Sequence, residues 1–315
     1  RERFITTSIG IVLSTPGCEL PEEILRYADV AMYRAKAAGR ARYAVFDPSM
    51  TAAALERLEL ESDLRRAMER EEFRVYYQPK VSLGSGEIVA LEALLRWEHP
   101  ERGLVYPAQF IPVAEETDLI VPIGRWVLEE ACRQARRWRD RFPGRSPLKV
   151  CVNLSARQFQ YHALVEEVAA ILQKTGLDPA SLDLEITESD VREDAPSTLA
   201  TLQKLKDLGV NLAMDDFGTG YSSLSYLRRF PVDFLKIDRS IIQGLGEDPK
   251  NEAIVSAVVT LAHALDERVV AEGVETERQL ACLREIGCDF AQGYYFAKPL
   301  PGEEASLLVG SGLNR

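Results

Sequence analysis

Eight short apolar segments with a polar residue at or near one end recur from position 73 onward, and stretches rich in helix-forming residues separate most of them. Alternating strands and helices predict a parallel sheet, and eight strands over roughly 230 residues match a (β/α)8 barrel. The predicted strands are residues 73–78, 88–97, 149–155, 182–188, 211–217, 234–238, 268–275 and 290–296. The predicted helices between them are residues 126–141, 165–175, 198–208, 252–264 and 277–286.

The link between the first two strands, residues 81–87, is too short for a crossover helix and contains Gly84 and Gly86. Such a link is typical of a hairpin, so these strands are expected to run antiparallel. The fold class is therefore α/β: a TIM-like barrel at residues 72–315 with an antiparallel first strand, plus a short N-terminal α/β fragment.

That fragment, residues 1–49, is too small to build its own core, and the chain opens directly on Arg1. We interpret it as the end of a larger domain. Its pattern predicts a strand at 4–13, a helix at 21–38 that stops at Gly39, and a strand at 43–46. Residues 50–71 are mostly strong helix formers, which predicts a linker helix.

The amino-acid composition limits the partners and the kinds of metal site that the chain can have. Of the 315 residues 46% are hydrophobic, and no apolar run approaches the roughly 18 residues of a membrane span. A net charge of −11 argues against DNA or RNA polymers as partners, so an anionic substrate needs local cations. The five cysteines include no CxxC pair, and the three histidines form no HExxH motif. A disulfide framework or zinc site is disfavoured, and Mg²⁺ or Mn²⁺ in an oxygen-rich site fits best.

Four predicted strands carry a side-chain oxygen donor near the end where such barrels place their active sites. These donors are Glu92, Asn153, Glu185 and Asp215. Each one alone is better explained as a hydrogen-bonded core residue or part of a salt bridge. Four donors from four strands can form most of an octahedral shell, so together they predict a metal site.

Two adjacent acids, Asp215 and Asp216, lead from the fifth strand into the turn Gly218-Thr219-Gly220. The turn indicates that the strand has ended, so one acid could bridge two ions while its neighbour holds the second. The same run contains Asp-Phe-Gly, a protein-kinase signature. Neither a Gly-rich phosphate loop nor an HRD loop precedes it, and we reject that interpretation.

Further charged residues occur on or near these strands. Lys236 and Asp238 lie two apart on one predicted strand face, which a structural ion pair would also explain. Beside two cations the pKa of Lys236 should fall, which would suit it to orient or deprotonate a water. Glu272 and Glu275 add two acids at the seventh strand, and Arg96 is the natural phosphate binder.

The run Glu92-Ala93-Leu94-Leu95-Arg96-Trp97 resembles the signature of the EAL-domain cyclic di-GMP phosphodiesterases. Further runs follow in that family's order: Gln78-Pro79-Lys80, Asn153-Leu154-Ser155, Glu185-Ile186-Thr187-Glu188, residues 215–223, Lys236-Ile237-Asp238, residues 271–275 and Gln292-Gly293-Tyr294. The resemblance implies hydrolysis of cyclic di-GMP to linear pGpG by a water that two Mg²⁺ or Mn²⁺ ions activate, in bacterial second-messenger signalling.

The resemblance also implies roles. Glu92, Asn153, Glu185 and Asp215 would hold one ion, and Asp215 would bridge to a second that Asp216 and Glu272 complete. Lys236 would position the attacking water and act with Asp216 and Glu272 as the catalytic group. The implied substrate contacts are Gln78, Leu94, Arg96, Asp238 and Gln292. Glu188 and Glu275 would brace the loop at residues 216–223.

The N-terminal runs Thr7-Ser8-Ile9-Gly10-Ile11 and Ala28-Asp29-Val30-Ala31-Met32-Tyr33-Arg34-Ala35-Lys36 resemble the C-terminal end of a GGDEF, or diguanylate cyclase, domain. The GGDEF signature itself is absent from the sequence, so no cyclase activity follows. The resemblance implies upstream sensory and GGDEF domains in the parent protein, and a homodimer. The segment is expected in the cytoplasm, with a membrane anchor elsewhere in the parent protein left open.

Two other functions remain open. The chain could be a catalytically inactive cyclic di-GMP receptor that signals through its neighbours, although the intact Asp215-Asp216 pair weighs against this. It could also be a metal phosphodiesterase for another nucleotide.

Overall fold

A computed structural model of the chain describes residues 6–13, 21–39, 41–144, 148–188, 195–218 and 229–313. The chain divides into two units, Arg1–Glu69 and Arg70–Arg315. Positions 219–223 of the predicted loop after the fifth strand lie outside the described residues, as do positions 4 and 5 of the predicted first strand.

The first unit contains β1 (Ile9–Ile11), α1 (Pro21–Ala37), β2 (Tyr43–Val45) and α2 (Pro48–Ala67). Strands β1 and β2 pair in parallel. A side chain at Gly10 would place its Cβ 1.9 Å from the Ala28 carbonyl oxygen, so glycine is what allows β1 to approach α1 closely. The assignment of this unit to a GGDEF domain stays a prediction.

The predicted linker helix is present as α2, with shifted ends. Asp47 caps it by accepting a hydrogen bond from the Ser49 backbone N–H at 2.9 Å, so the helix begins at Pro48. It ends at Ala67, four residues earlier than predicted. Glu71 has a positive φ of 54°, which a right-handed helix does not accommodate.

The second unit is the predicted barrel. Its eight strands are β3 (Phe73–Ser82), β4 (Ile88–His99), β6 (Lys149–Leu154), β7 (Leu182–Thr187), β8 (Asn211–Phe217), β9 (Phe234–Ile237), β10 (Arg268–Ala271) and β11 (Phe290–Gln292). They pair in that order, and β3 closes the ring by pairing antiparallel with both β4 and β11. The neighbouring pairs from β4 to β11 are parallel. This confirms the barrel with an antiparallel first strand.

Two short strands extend the sheet beyond the ring. β5 (Gly103–Val105) pairs with β4, and β12 (Leu300–Pro301) pairs with β3. The helices of the second unit, within the described residues, are α3 (Pro107–Glu116), α4 (Ile120–Arg141), α5 (Ala156–Gln160), α6 (Leu164–Thr175), α7 (Ala195–Asp207), α8 (Arg239–Ile242), α9 (Pro249–Ala264), α10 (Glu277–Ile286) and α11 (Gly302–Ser311).

Strand alternation explains why the site residues face inward. Leu184 and Ile186 flank Glu185, and Leu235 and Ile237 flank Lys236; all four apolar side chains are buried. Successive strand residues point to opposite faces, so the apolar neighbours pack outward and the polar residue points into the barrel. Searched for long apolar helices, the described part of the chain yields none that could cross a membrane.

Candidate active site

One side of the site is a hydrogen-bonded chain of amides and one acid on four strands. Asn153 on β6 donates from Nδ2 to Oε1 of Glu92 on β4 at 2.7 Å. Gln292 on β11 donates from Nε2 to Oε2 of Glu92 and to Oε1 of Gln78 on β3, the latter at 3.2 Å. Gln78 in turn donates to the Ala297 carbonyl oxygen at 3.0 Å. Four of the predicted residues are thus brought together, although their positions span more than 200 residues of the chain.

The other side converges on Lys236, near the end of β9. Its Nζ lies 2.6 Å from Glu185 Oε2, 3.0 Å from Asp215 Oδ2 and 2.7 Å from Glu272 Oε1. Lys236 and Glu185 are each 1% exposed, whereas the Glu272 side chain is 20% exposed. Glu272 comes directly after β10, which ends at Ala271 rather than extending to position 275 as predicted.

The adjacent acids owe their geometry to a bulge in β8, not to the end of the strand as the sequence suggested. The strand continues through Phe217, and its register with β9 shifts between Met214 and Phe217. Asp216 has a φ of 55°, a left-handed conformation that is uncommon for residues other than glycine. Its backbone N–H donates to Asp215 Oδ1 at 2.8 Å. Backbone conformations of this kind cluster at functional sites.

The electrostatics of the cluster show an excess of acid. Burial raises the pKa of Glu185 to about 7, with Glu92 and Asp215 adding to the increase against the attraction of Lys236. Burial also raises the pKa of Glu272 well above its usual range. For Lys236, burial opposes the charged form, but the surrounding acids outweigh burial and raise its pKa. This is opposite to the fall expected beside two cations, because carboxylates are its neighbours here. Lys236 therefore carries its proton in this arrangement.

The donor set fits a hard divalent cation. Four carboxylates, from Glu92, Glu185, Asp215 and Glu272, share the described site with the Lys236 ammonium, and buried excess charge requires cations or protons. Across the described residues, no three Asp, Glu, His or Cys side chains meet closely enough to hold an ion. Three of the carboxylates contact Lys236 instead.

A cavity of about 210 Å³ opens above the cluster. Its lining includes the predicted residues Gln78, Glu92, Leu94, Asp215, Glu272, Glu275 and Gln292. It also includes Arg239, Gly293 and Tyr294, to which sequence reasoning gave no role.

Arg239 brings a positive charge to this cavity. Its Nη2 lies 2.8 Å from Glu275 Oε1. Its stem passes over Gly273, where φ is +69° and an added Cβ would lie 2.3 Å from Arg239 Cγ. A sequence signal existed: Arg239 follows Lys236-Ile237-Asp238, and glycine lies at the point of closest approach.

Two of the implied substrate contacts, Arg96 and Asp238, are not among the residues that line this cavity. Arg96 donates from Nη1 to the Leu95 carbonyl oxygen at 2.8 Å. Its guanidinium carbon lies 5.6 Å from the centre of the Tyr76 ring and 5.4 Å from the centre of the Tyr106 ring. Asp238 follows the end of β9 and caps α8 by accepting from the Ser240 backbone N–H at 2.9 Å. It therefore does not share a strand face with Lys236, as the sequence had suggested.

The two residues expected to brace the loop lie beside the site. The Glu188 backbone N–H donates to the Asp215 carbonyl oxygen at 3.1 Å. Glu275 pairs with Arg239, and its N–H donates to Gln279 Oε1 at 2.8 Å. Most of the loop lies outside the described residues, so the bracing role stays a prediction.

Comparison with known proteins adds independent information. The sequence model of the EAL domain matches residues 61–299. The chain is 48% identical over 300 residues to the bifunctional diguanylate cyclase/cyclic di-GMP phosphodiesterase MucR of Pseudomonas aeruginosa, which covers 95% of this chain and 44% of MucR. It is 42% identical over 300 residues to the cyclic di-GMP phosphodiesterase PdeR of Escherichia coli, covering 95% of this chain and 45% of PdeR. The chain thus spans less than half the length of either relative.

A solved structure is similar over the barrel. The PaMucR phosphodiesterase in complex with c-di-GMP is 49% identical in sequence and matches with a TM-score of 0.75. The match covers 78% of this chain and 99% of that one.

Proposed function

This chain belongs to the EAL domain family, and on that premise we propose that it hydrolyses one phosphodiester bond of cyclic di-GMP to give linear pGpG, in bacterial second-messenger signalling. One observation carries the proposal: a surplus of buried carboxylates surrounds a lysine at the end of the barrel where such folds place their active sites. The similarity to a phosphodiesterase structure in complex with c-di-GMP supports the choice of substrate.

The proposed cofactors are two Mg²⁺ or Mn²⁺ ions, which when bound would activate water and neutralise charge on the phosphate. One ion would be held by Glu92, Asn153, Glu185 and Asp215, and the other by Asp215, Asp216 and Glu272. The excess of acid described above supports this assignment, because bound cations would relieve the repulsion that raises the pKa of Glu185 and Glu272.

Lys236 would act on the attacking water through its Nζ. Carboxylates that held ions would interact less strongly with Lys236, and its N–H donors would then be available to orient the water oxygen. The water would lose one proton as its oxygen forms a bond to phosphorus, the bond from phosphorus to the ribose oxygen would break, and the leaving oxygen would take up one proton. One water would thus be consumed, and one terminal phosphate and one free hydroxyl would form. We assign Lys236 the positioning of this water, because its Nζ lies within 3.0 Å of three carboxylates that would hold the ions.

The substrate would be held by the amides and cations around the cavity. Gln78 and Gln292 present amide groups to it, and Arg239 contributes a guanidinium that can pair with phosphate oxygens. Arg96, near two tyrosine rings, would serve a more peripheral part of the substrate.

The decisive experiment is turnover of cyclic di-GMP by the purified chain across a Mg²⁺, Mn²⁺ and Ca²⁺ series, with product identification. We expect pGpG with Mg²⁺ and Mn²⁺, and inhibition by Ca²⁺, which takes more ligands in looser geometry. Binding of cyclic di-GMP without pGpG would refute the proposal in favour of a receptor. Intact cyclic di-GMP beside hydrolysis of another nucleotide would refute the choice of substrate.

For the assembly, we propose a homodimer, with sensory and GGDEF domains preceding this segment in the parent protein. The MucR relative, described as both cyclase and phosphodiesterase, supports the second part. We also propose a cytoplasmic location. The buried thiols of Cys132, Cys151 and Cys288 are free, which suits a reducing compartment.

A further inference from the structure

Lys80 is another fully buried lysine inside the barrel, and the proposed reaction gives it no role. Its Nζ lies 3.1 Å from Cys151 Sγ and 3.1 Å from Asp183 Oδ2, and 4.7 Å from the centre of the Phe234 ring. The Lys80 side chain is 2% exposed. Barrel interiors are usually filled by branched apolar side chains, so an ion pair at this depth is unusual.

Lys80, Cys151, Asp183 and Phe234 form what we call the lower layer, and each lies two residues from a site residue on its own strand. The pairs are Lys80 and Gln78 on β3, Cys151 and Asn153 on β6, Asp183 and Glu185 on β7, and Phe234 and Lys236 on β9. Residues two apart on a strand share a face and are separated by about 6–7 Å. The lower layer therefore lies one step beneath the site.

The lower layer joins strands from opposite ends of the sequence. Asp183 is 0% exposed. Its carboxylate lies 3.1 Å from the Lys80 ammonium and 3.5 Å from the Lys149 ammonium, and it accepts a hydrogen bond from the Asn211 side-chain amide at 2.8 Å. Lys80 reaches it because β3 runs antiparallel and closes the ring. Strand β7 is thus held in position by side chains from β3, β6 and β8, directly beneath Glu185.

Fold stability does not account for this ion pair, since replacing a buried pair with apolar residues of similar volume is often neutral or stabilising. Metal sites, in contrast, depend on the groups that hold their ligands in place. We propose that Lys80 is a positioning residue: by joining β3, β6, β7 and β9, it holds Asn153, Glu185 and Lys236 in the arrangement that ion binding and turnover require. The inference rests on the proposed function.

The test is the double variant Lys80→Met, Asp183→Asn. It removes both charges of the buried pair together, so that neither Lys80 nor Asp183 remains as a buried charge without the other. Methionine retains most of the length of lysine, and asparagine can still accept from Asn211. We expect Mn²⁺ binding, measured by calorimetry, to weaken about 10–100-fold, as is typical when a group that orients ligands is lost. We expect kcat to fall by a similar factor, KM to change less than about threefold, and the Tm to stay within a few degrees of wild type.

Lys149→Met is the matched control, because it removes another lysine from the same carboxylate. Lys149 lies farther from Asp183, at 3.5 Å, and its side chain is 27% exposed. We expect its Mn²⁺ affinity and kcat to stay within about twofold of wild type, because Lys149 is the partly exposed and more distant of the two lysines and Asp183 keeps Lys80 and Asn211 as partners. If Mn²⁺ affinity and kcat fell equally in both variants, either lysine beside Asp183 would hold the site equally well. That result would overturn the specific role of Lys80.

A folded double variant with wild-type Mn²⁺ affinity overturns the inference. If the double variant does not fold, Lys80→Arg replaces it: the charge remains, but a planar guanidinium cannot occupy the ammonium's place between Cys151 and Asp183. The same weakening of Mn²⁺ binding then supports the inference, and wild-type affinity overturns it. A wild-type chain that gives no pGpG refutes the proposed function, and the Mn²⁺ titration still decides the positioning role.

Discussion

Asp183 and Glu185 lie two residues apart on β7, face the same side and are both buried, yet their ionisation differs. Burial acts to raise the pKa of both acids. For Asp183 the attraction of Lys80 and Lys149 outweighs burial and lowers the pKa. For Glu185 the pKa rises to about 7, although Lys236 is 2.6 Å away. The difference lies in the balance of charge: two lysines surround Asp183, whereas four acids surround Lys236.

A buried contact between a lysine and a carboxylate therefore does not by itself identify a site. The lower layer has no surplus of acid, because its one carboxylate, Asp183, lies beside the ammonium groups of Lys80 and Lys149. The layer above it, which we call the site layer, contains Glu92, Glu185, Asp215, Glu272 and Lys236. It has more acid than its lysine can neutralise, so its charges are balanced only when cations or protons enter. Three variants test this contrast.

The largest expected effect is in the site layer. Lys236→Ala removes the ammonium that we assign to the attacking water, so we expect kcat for cyclic di-GMP to fall about 10³-fold or more, while substrate binding stays measurable. Turnover with Mn²⁺ and binding in Ca²⁺ separate the two effects. Lys206→Ala is the control: it also deletes a lysine paired with a carboxylate, Asp233 at 2.7 Å, but outside the barrel site. A near-normal rate in Lys236→Ala would remove this residue from the mechanism.

Asp215→Asn should have the next largest effect, because it reduces the acid surplus at the proposed bridge between ions. We expect Mn²⁺ affinity to fall about 100-fold or more and kcat to fall with it, since a direct ligand should matter at least as much as the groups that orient ligands. Calorimetric titration and turnover check this. Asp207→Asn, the same change at an exposed acid, should alter neither. An unchanged Mn²⁺ titration in Asp215→Asn would refute bridging.

The sequence predicted the barrel because its strands follow simple rules. Each of the eight predicted strands is present, and the Gly84 and Gly86 link correctly indicated the antiparallel pair. The ends of β10 and β11 were placed too late, since apolar residues such as Val274 continue past each strand and pack in loops. β5 and β12 were not predicted, because strands of three and two residues are too short to show the alternation of apolar and polar residues.

The sequence did not show that the site layer and the lower layer differ in charge balance. Leu182-Asp183-Leu184-Glu185-Ile186 places two acids on one face with the same apolar neighbours. Their roles differ because Lys80, 103 positions away, reaches only the first. Its place near the strand end selected Glu185 as a candidate, but no local pattern could show that Asp183 is already neutralised. Charge balance between distant strands appears only once the ring is closed.

The smallest expected effect comes from a buried acid outside both layers. Glu267, just before β10, is 5% exposed, and its Oε2 has no hydrogen-bond partner within the described part of the chain. Burial, with repulsion from Asp233, raises its pKa to about 7. The folded state thus keeps a proton that the unfolded chain loses near its ordinary pKa of 4.5. This contribution to stability is complete below about pH 4.5 and is lost as the pH rises through about 7.

Glu267→Gln should remove this pH dependence, because glutamine stays neutral throughout. We expect the variant to match wild type near pH 4.5 and to exceed it by about 1–3 kcal/mol at pH 8, measured as the difference in thermal unfolding across the series. Asp207→Asn again serves as an exposed control. Parallel curves for wild type and Glu267→Gln would show that Glu267 has a compensating partner, as Asp183 does. Diverging curves would give the loss of folding stability caused by a buried carboxylate that has no cationic partner. Asp183 has lysines as partners in the lower layer, and the acids of the site would have metal ions.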